Sequence, residues 1–205
     1  MQGRIILDRD QATLLAAIGH AASTDKAREM LTGTLIAWRT GEDGKVTVKA
    51  TATDSFCAAI REVDGHLAEG TPPRGEVLVN ARDLIAAVKT VDRWAKACLD
   101  LDGDNLIVGG RILPRLDGRD MPPIQAKIET TVSADKPWQP KRYGALPAFS
   151  TTIFAKVAKA HSEPDFPLQM FCLPDEKGET WLKPIMFAPP SKTQRFRAWQ
   201  MPVRT

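Results

Sequence analysis

The sequence predicts an α+β protein in which short helices cover antiparallel sheets. Three observations support this class. The order strand, helix, three strands occurs three times along the 205 residues. The first unit contains a strand that alternates apolar and polar residues, as in a sheet with one wet face. Each predicted helix carries one apolar stripe, which suits a layer packed on a sheet. Recurrence of this order without repeated sequence indicates a fold of duplicated units.

The first unit begins with a short strand at residues 3–7. Asp8 or Asp10 can cap the helix that follows, which continues to about Ala22. A polar loop at 23–28 comes next, and the three strands are predicted at 31–39, 44–52 and 56–63.

Thr53, Asp54 and Ser55 interrupt the alternation between the last two strands of this unit, so we expect a hairpin corner there. Aspartate and serine side chains bind their own backbone in such corners. Ordinary turn chemistry is therefore one explanation of these residues.

The second unit repeats this order. A strand at 76–79 leads to Asn80 as cap and to a helix from Ala81 to about Val91, and the strands that follow are predicted at 96–101, 105–108 and 111–116. Pro114 confines the last strand to an edge or a bulge, because proline cannot donate to the ladder. The inward stripe of the helix consists of Leu84, Ile85 and Val88.

The third unit follows a proline-containing connector at 117–147, whose periodicity is weak apart from residues 128–132. Ser150 begins a capping sequence for a helix that continues to about Ala160, with Ile153, Val157 and Ala160 on one stripe. Further strands are predicted at 168–173, 181–187 and 195–201.

The composition is that of a soluble globular protein, with 43% hydrophobic and 26% charged residues. No apolar run approaches the ~18 residues that span a bilayer, and the first residues lack a signal pattern, so we expect a cytoplasmic protein. Cys57, Cys98 and Cys172 lie far apart, which favours buried free thiols over a disulfide or a zinc site. The net charge of +3 is compatible with nucleic acid but is not diagnostic.

The sequence argues against an enzyme. No serine or cysteine nucleophile motif accompanies the histidines, and no phosphate-binding glycine loop is present. The aspartates at 100–104 lack the continuation of a calcium loop, so we expect no metal and no cofactor. The three histidines are His20, His66 and His161.

Four stretches, in order, resemble the bacterial DNA polymerase III β sliding clamp. Residues 44–60, with Ala52-Thr53-Asp54, resemble its ATD hairpin, and GEVLVNARDLIAAV (75–88) is similar to the clamp phrase in which a strand enters a helix. LDGRDMP (116–122) looks like VDGRFP, and QMPVRT (200–205) looks like the closing MPMR signature. The resemblance implies helices that line the DNA-facing side of a ring and sheets outside.

On this resemblance, residues 1–125 form a full clamp-like domain of two units, and residues 126–205 form the connector and a shortened half-domain. The implied function is that of a sliding clamp, a processivity factor that encircles double-stranded DNA and docks short motifs of the replicative polymerase, the clamp loader and other replication proteins. The implied assembly is a homo-oligomeric ring, and four chains would supply the twelve units of the family. The alternative is an adaptor or decoy that does not encircle DNA, and the shortened form is one we expect from a phage.

The resemblance also implies DNA contacts. Sequence-independent phosphate binding needs lysine or arginine on helix faces turned away from the core. Solvated surface charge is the competing explanation for each candidate. The candidates are Arg82 and Lys89 on the second helix, Lys156 and Lys159 on the third, and Lys26 and Arg28 in the loop after the first.

In the clamp family the peptide pocket lies where the ATD hairpin, the DGRFP segment and the C-terminal strand converge. Met201, Pro202 and Val203 would supply an apolar floor, and Arg119 or Arg204 would hold a carbonyl or carboxylate. The competing explanation is a strand packed in its sheet, and Trp199 is core or pocket wall. Carried over by position, the candidates are Thr53, Ser55, Phe56, Arg119, Met121, Pro122, Gln200, Met201, Pro202, Val203 and Arg204.

Overall fold

A computed structural model describes residues 2–116, 139–140, 150–163, 167–172, 185–190 and 195–201. The first unit has the predicted order of strand, helix and three strands. Two short 3-10 helices, Ile18–Ala21 and Lys26–Thr32, follow its α-helix. Its elements are β1 (Gln2–Leu7), α1 (Arg9–Ala17), β2 (Gly33–Thr40), β3 (Val46–Thr53) and β4 (Cys57–Leu67).

The second unit repeats the order, and the third contains the predicted helix and three strands. The second consists of β5 (Arg74–Asn80), α2 (Ala81–Lys89), β6 (Ala97–Asp102), β7 (Asn105–Val108) and β8 (Arg111–Pro114). The third contains β9 (Gln139–Pro140), α3 (Thr151–His161), β10 (Gln169–Cys172), β11 (Ile185–Ala188) and β12 (Phe196–Gln200).

Polar side chains start the helices at the predicted positions. Asp8 precedes α1, and its backbone N–H donates to the side chain of Gln11 at 3.0 Å. Asn80 accepts from the backbone N–H of Arg82 at 3.0 Å, and Ser150 precedes α3. Each cap satisfies backbone groups that a helix terminus otherwise leaves without partners.

The first two units exchange their first strands. β1 pairs along its whole length with β6 of the second unit, and β5 pairs with β2 of the first. Strands of the first unit therefore pair with strands of the second at two places, and this pairing joins the two units around one core. The β3–β4 hairpin has a counterpart in the β7–β8 hairpin, which turns in two residues, Gly109 and Gly110, with φ of +56° and +77°. Glycine adopts this left-handed backbone without the clash that a Cβ would cause.

The third unit joins through β12, which pairs antiparallel with β4 from Phe196 opposite Arg61 to Gln200 opposite Cys57. The sheet then continues through β11 and β10 to β9. β9 lies beside β10 as β5 lies beside β2, so a short paired strand occurs within the stretch predicted to be only a connector. The more periodic residues at 128–132 of this connector lie outside the described residues.

The helices form one layer, in which α1 and its 3-10 extension lie between α2 and α3. Their buried side chains face the sheets, as Leu15, Leu84 and Val157 show, and they pack with strand residues such as Ile5 and Val48. The predicted α+β architecture is thus confirmed. No helix in the described part of the chain is long and apolar enough to cross a membrane.

Some boundaries differ from the prediction. The polar loop at 23–28 runs into the 3-10 helix Lys26–Thr32, where Asp25 accepts from the N–H of Ala27 at 3.0 Å, and β2 consequently starts at Gly33. Ile85, predicted to face inward, is only half-buried. β8 ends at Pro114 and lies last in the strand order, which confirms the predicted edge.

Candidate nucleic-acid interface and peptide groove

A cleft of about 670 Å³ opens on the helix side of the molecule, between the two 3-10 helices, α2 and α3. Four of the six predicted DNA-binding residues line this cleft, one or more from each of three helical segments. Its lining also contains His20 and one acidic residue, Glu29. The basic residues of the lining are Lys26, Arg82, Lys89 and Lys156. We call this feature the cationic cleft.

The pKa of His20 reflects its position beside the cationic cleft. Its pKa is lowered from the ordinary value of 6.5, first by partial burial and then by the charges of Lys159 and Lys89. The positive charge of Lys159 therefore affects His20 in the cleft, although Lys159 does not line the cleft. The structure thus places His20, which follows α1, among lysines of the two other helices.

Two predicted DNA contacts face the β3–β4 corner. The guanidinium of Arg28 donates to the hydroxyl of Ser55 at 3.2 Å, and its Nε lies 3.6 Å from a carboxylate oxygen of Asp25. The ammonium of Lys156 forms an ion pair with Asp54. Arg28 lies at a kink within the segment Lys26–Thr32, where its backbone is non-helical with φ of −118° and ψ of 65°. These two cations are therefore partly neutralised.

Short hydrogen bonds fix the β3–β4 corner. Thr53 Oγ1 donates to the carbonyl of Cys57 at 2.6 Å and accepts from the N–H of Ser55 at 3.1 Å. One carboxylate oxygen of Asp54 accepts from the N–H groups of Phe56 and Cys57, both at 2.8 Å. Ser55 has a φ of +79°, a conformation that non-glycine residues adopt only where the surroundings hold it. Turn chemistry, one of the two explanations of the corner, is thus present.

The Asp54 carboxylate is 6% exposed and charged. Burial raises its pKa, but the hydrogen bonds from Lys156, Cys57 and Phe56 outweigh burial, so its pKa lies below the usual value. Burial raises the pKa of the Cys57 thiol to about 12, with Asp54 as the second cause. This thiol is therefore buried, free and protonated at neutral pH, as predicted.

The end of β12 lies against the corner. The N–H of Met201 donates to the carbonyl of Phe56 at 2.9 Å, and Gln200 pairs with Cys57. The side chains of Phe56 and Met201 are 57% and 43% exposed, so two large apolar groups lie in water on neighbouring backbone. The predicted approach of the corner to the last strand is present. We call the exposed surface around Phe56 and Met201 the corner groove, after the peptide pocket that the sequence resemblance implies at this place.

Solved structures similar to the chain belong to one class. A DNA polymerase III β chain from Streptococcus pneumoniae matches with a TM-score of 0.68 and 13% identity over 100% of this chain and 65% of its own. The sliding clamp of Bacillus subtilis matches with a TM-score of 0.65 and 16% identity over 99% and 64%. A Bartonella birtlesii clamp with bound griselimycin gives 0.63 and 15% over 99% and 66%. The chain has the sliding-clamp fold.

The sliding-clamp likeness confirms the resemblance that the four sequence stretches indicated, at the level of the fold. No protein-family model and no curated protein matches the sequence. The chain spans just under two thirds of the length of the S. pneumoniae and B. subtilis clamps.

Within the clamp fold, the remaining predicted groove residues take different positions. Thr53 and Gln200 are buried, at 5% and 0% exposure, and they hold the corner and β12 in place. Trp199 is 7% exposed but lies on the face of β12 opposite the core residues Phe196 and Ala198, because side chains alternate along a strand. The predicted residues Arg119, Met121, Pro122, Pro202, Val203 and Arg204 lie outside the described residues.

The link between the corner and α3 was missed at the sequence level. Asp54 was explained as a turn residue and Lys156 as a phosphate contact, whereas the two form an ion pair 102 positions apart. No local sequence pattern indicates an ion pair between residues so far apart in the chain. The half-buried residue Ile85, which lines the cationic cleft, was missed because it falls at the spacing of the apolar stripe.

Proposed function

We propose that this chain is a clamp-type processivity factor that contacts duplex DNA through the cationic cleft and docks short peptide motifs of replication proteins in the corner groove. The convergence of basic side chains from separate helical segments on one cleft carries the proposal. Its fold-level support is the likeness to sliding clamps over the whole chain. The client proteins we propose are a DNA polymerase and a clamp loader.

The cationic cleft suits a phosphate backbone. Lys26, Arg82 and Lys89 line it with a single acidic neighbour, Glu29. Cations that replace condensed counterions bind DNA of any sequence, as a protein that moves along DNA requires. The position of this cleft on the helix layer agrees with helices that face DNA.

The salt dependence of DNA affinity tests the cleft. Replacing Arg82 and Lys89 together by alanine removes two cleft cations, and the slope of log affinity against log salt should fall by about 1.8, since each phosphate contact contributes roughly 0.9. The matched control is the pair Arg39→Ala and Lys45→Ala, which removes the same charge from β2 and the β2–β3 turn. An identical slope in both double variants would contradict the proposed interface.

The corner groove suits a peptide with an aliphatic or aromatic anchor. Phe56 and Met201 offer apolar surface beside a corner held rigid by Asp54, so little order is lost on binding. Replacing either residue by serine should weaken binding of a labelled clamp-binding peptide about tenfold, measured by fluorescence anisotropy. Ile112→Ser, at an apolar side chain with 64% exposure on β8, is the control. Equal affinity in all variants would remove the groove from the proposal.

The adaptor function is the second candidate, and one observation favours it: two of the six predicted DNA-binding residues, Arg28 and Lys156, already bond side chains of the β3–β4 corner. We propose residues 1–125 as the full domain and 126–205 as the shortened half-domain, and that several chains close a ring. Light scattering at micromolar concentration distinguishes the candidates. A closed ring should be a multimer that stays on circular DNA and slides off linear DNA, whereas a monomer that binds peptide but not DNA is an adaptor.

A further inference from the structure

Trp94 lies in the loop between α2 and β6, and 88% of its side chain is exposed. Trp38 and Trp199, by contrast, are 3% and 7% exposed. An indole left in water forgoes a large burial of apolar surface, and tryptophan is among the residues that dominate binding sites. Neither the cationic cleft nor the corner groove includes Trp94, so its exposure needs a separate explanation.

Hydrogen bonds order the backbone of the loop that carries the indole. A carboxylate oxygen of Asp92 accepts from the backbone N–H of Trp94 at 2.8 Å. Thr90 Oγ1 donates to the carbonyl of Ala87 at 2.7 Å, which ties the loop to the end of α2. At the other end, Lys96 forms an ion pair with Asp8. The position of Trp94 is therefore built by the loop.

Arg93 covers one side of the indole. Its guanidinium carbon lies 5.3 Å from the ring centroid, within the range of a cation–π contact. The ring is otherwise in solvent, as its 88% exposure shows. An indole with a guanidinium stacked beside it is the combination that binds nucleobases, because every base presents a π-face and every nucleotide a phosphate.

The surroundings of the loop are cationic. Lys89 ends α2 and lines the cationic cleft, and Arg111 follows the Gly109–Gly110 turn, whose Gly109 carbonyl lies 3.4 Å from Thr90 Oγ1. The loop itself contains one acidic residue, Asp92, and two basic residues, Arg93 and Lys96, of which Lys96 pairs with Asp8. This balance favours a polyanion over an apolar protein pocket.

We propose that Trp94 and Arg93 form a stacking platform for unpaired bases of single-stranded DNA, next to the cationic cleft. This inference deepens the proposed function, on which it rests for the arrival of DNA at the cleft. The platform reads no sequence, because stacking tolerates every base. It would bind the single strand that adjoins a duplex lying in the cleft.

Oligothymidine affinity tests the platform. Trp94→Ala should weaken binding of a labelled 20-nucleotide oligothymidine about tenfold, and Trp94→Tyr should restore most of the loss, since a phenol ring also stacks. Ile112→Ala is the control for loss of an exposed apolar side chain. Duplex affinity should change less than twofold in Trp94→Ala. Equal single-strand affinity in wild type and Trp94→Ala would overturn the proposal.

Fluorescence gives an independent measurement. The emission difference between wild type and Trp94→Phe reports Trp94, and oligothymidine should quench it, whereas an abasic strand of equal charge should not. Quenching by the abasic strand, or none by either, would overturn stacking. If Trp94 is quenched by single strands but the Arg82→Ala, Lys89→Ala variant keeps its duplex affinity, the proposed cleft fails while the platform stands.

Discussion

Asp54→Ala is expected to destabilise the fold by about 3 kcal/mol. The carboxylate accepts two backbone N–H groups at 2.8 Å and the ammonium of Lys156, and it is only 6% exposed. A buried donor that loses its acceptor costs roughly 1–3 kcal/mol. We assign about 2 kcal/mol to the buried N–H of Cys57 and about 1 kcal/mol to the half-buried N–H of Phe56, which water reaches. Lys156 adds less, because its side chain is 25% exposed and it regains water.

Urea unfolding monitored by circular dichroism measures this free energy. Asp43→Ala is the control, since Asp43 is an exposed aspartate in the β2–β3 turn and its loss should cost less than about 1 kcal/mol. The double variant Asp54→Ala, Lys156→Met should be nearly as stable as Asp54→Ala alone. A loss below about 0.5 kcal/mol for Asp54→Ala would refute the assigned role of the corner bonds.

The stabilisation by the Asp54 carboxylate should depend on pH, and acid unfolding measures the direction of this dependence. The pKa of Asp54 is lowered in the folded state, so its stabilisation is complete above the unfolded pKa of about 3.9 and is lost as the pH falls through the folded pKa. Asp54→Asn should therefore show a weaker loss of stability below about pH 4 than wild type. The measurement is the free energy of unfolding between about pH 5 and pH 2.

Further expectations concern three other positions. DNA in the cleft offsets the lysine charges that lower the pKa of His20, so affinity should rise as the pH falls from about 7.5 to 5.5, and His20→Asn should flatten this dependence in anisotropy titrations. Arg61 is 2% exposed and donates to the carbonyl of His161 at 2.7 Å, so Arg61→Met should cost about 3 kcal/mol in urea unfolding. At Gly75 a Cβ would lie 2.3 Å from the Trp38 ring, so Gly75→Ala should cost about 1–3 kcal/mol and lower the melting temperature.

Much of the fold could be predicted because each unit is locally marked. Asp8, Asn80 and Ser150 start the three helices, and Pro114 lies at the end of the edge strand. The exchange of β1 and β5 between units carries no local signal, since it depends on long-range pairing. The sequence analysis therefore did not predict this exchange.

Part of the candidate site could also be predicted from the sequence. The approach of Phe56 to Met201 came from matching two motifs of a known family, while periodicity alone left the corner an ordinary turn. Four of the predicted basic residues line the cationic cleft, because their side chains extend from the helical segments away from the core. The pairing of Lys156 with Asp54 joins units far apart in sequence, and helix spacing cannot show which exposed lysine finds a carboxylate.

The β3–β4 hairpin and its counterpart, the β7–β8 hairpin, differ in the side chains that their turns present. The β7–β8 hairpin turns at Gly109–Gly110, with no side chains to offer a partner, whereas the β3–β4 hairpin ends in a rigid corner with an exposed aromatic residue. Of these two turns, that of the β3–β4 hairpin is therefore the one that presents an exposed aromatic side chain. If several chains form the proposed ring, each chain would contribute one such peptide-docking site. The number of client proteins bound at once would then equal the number of chains.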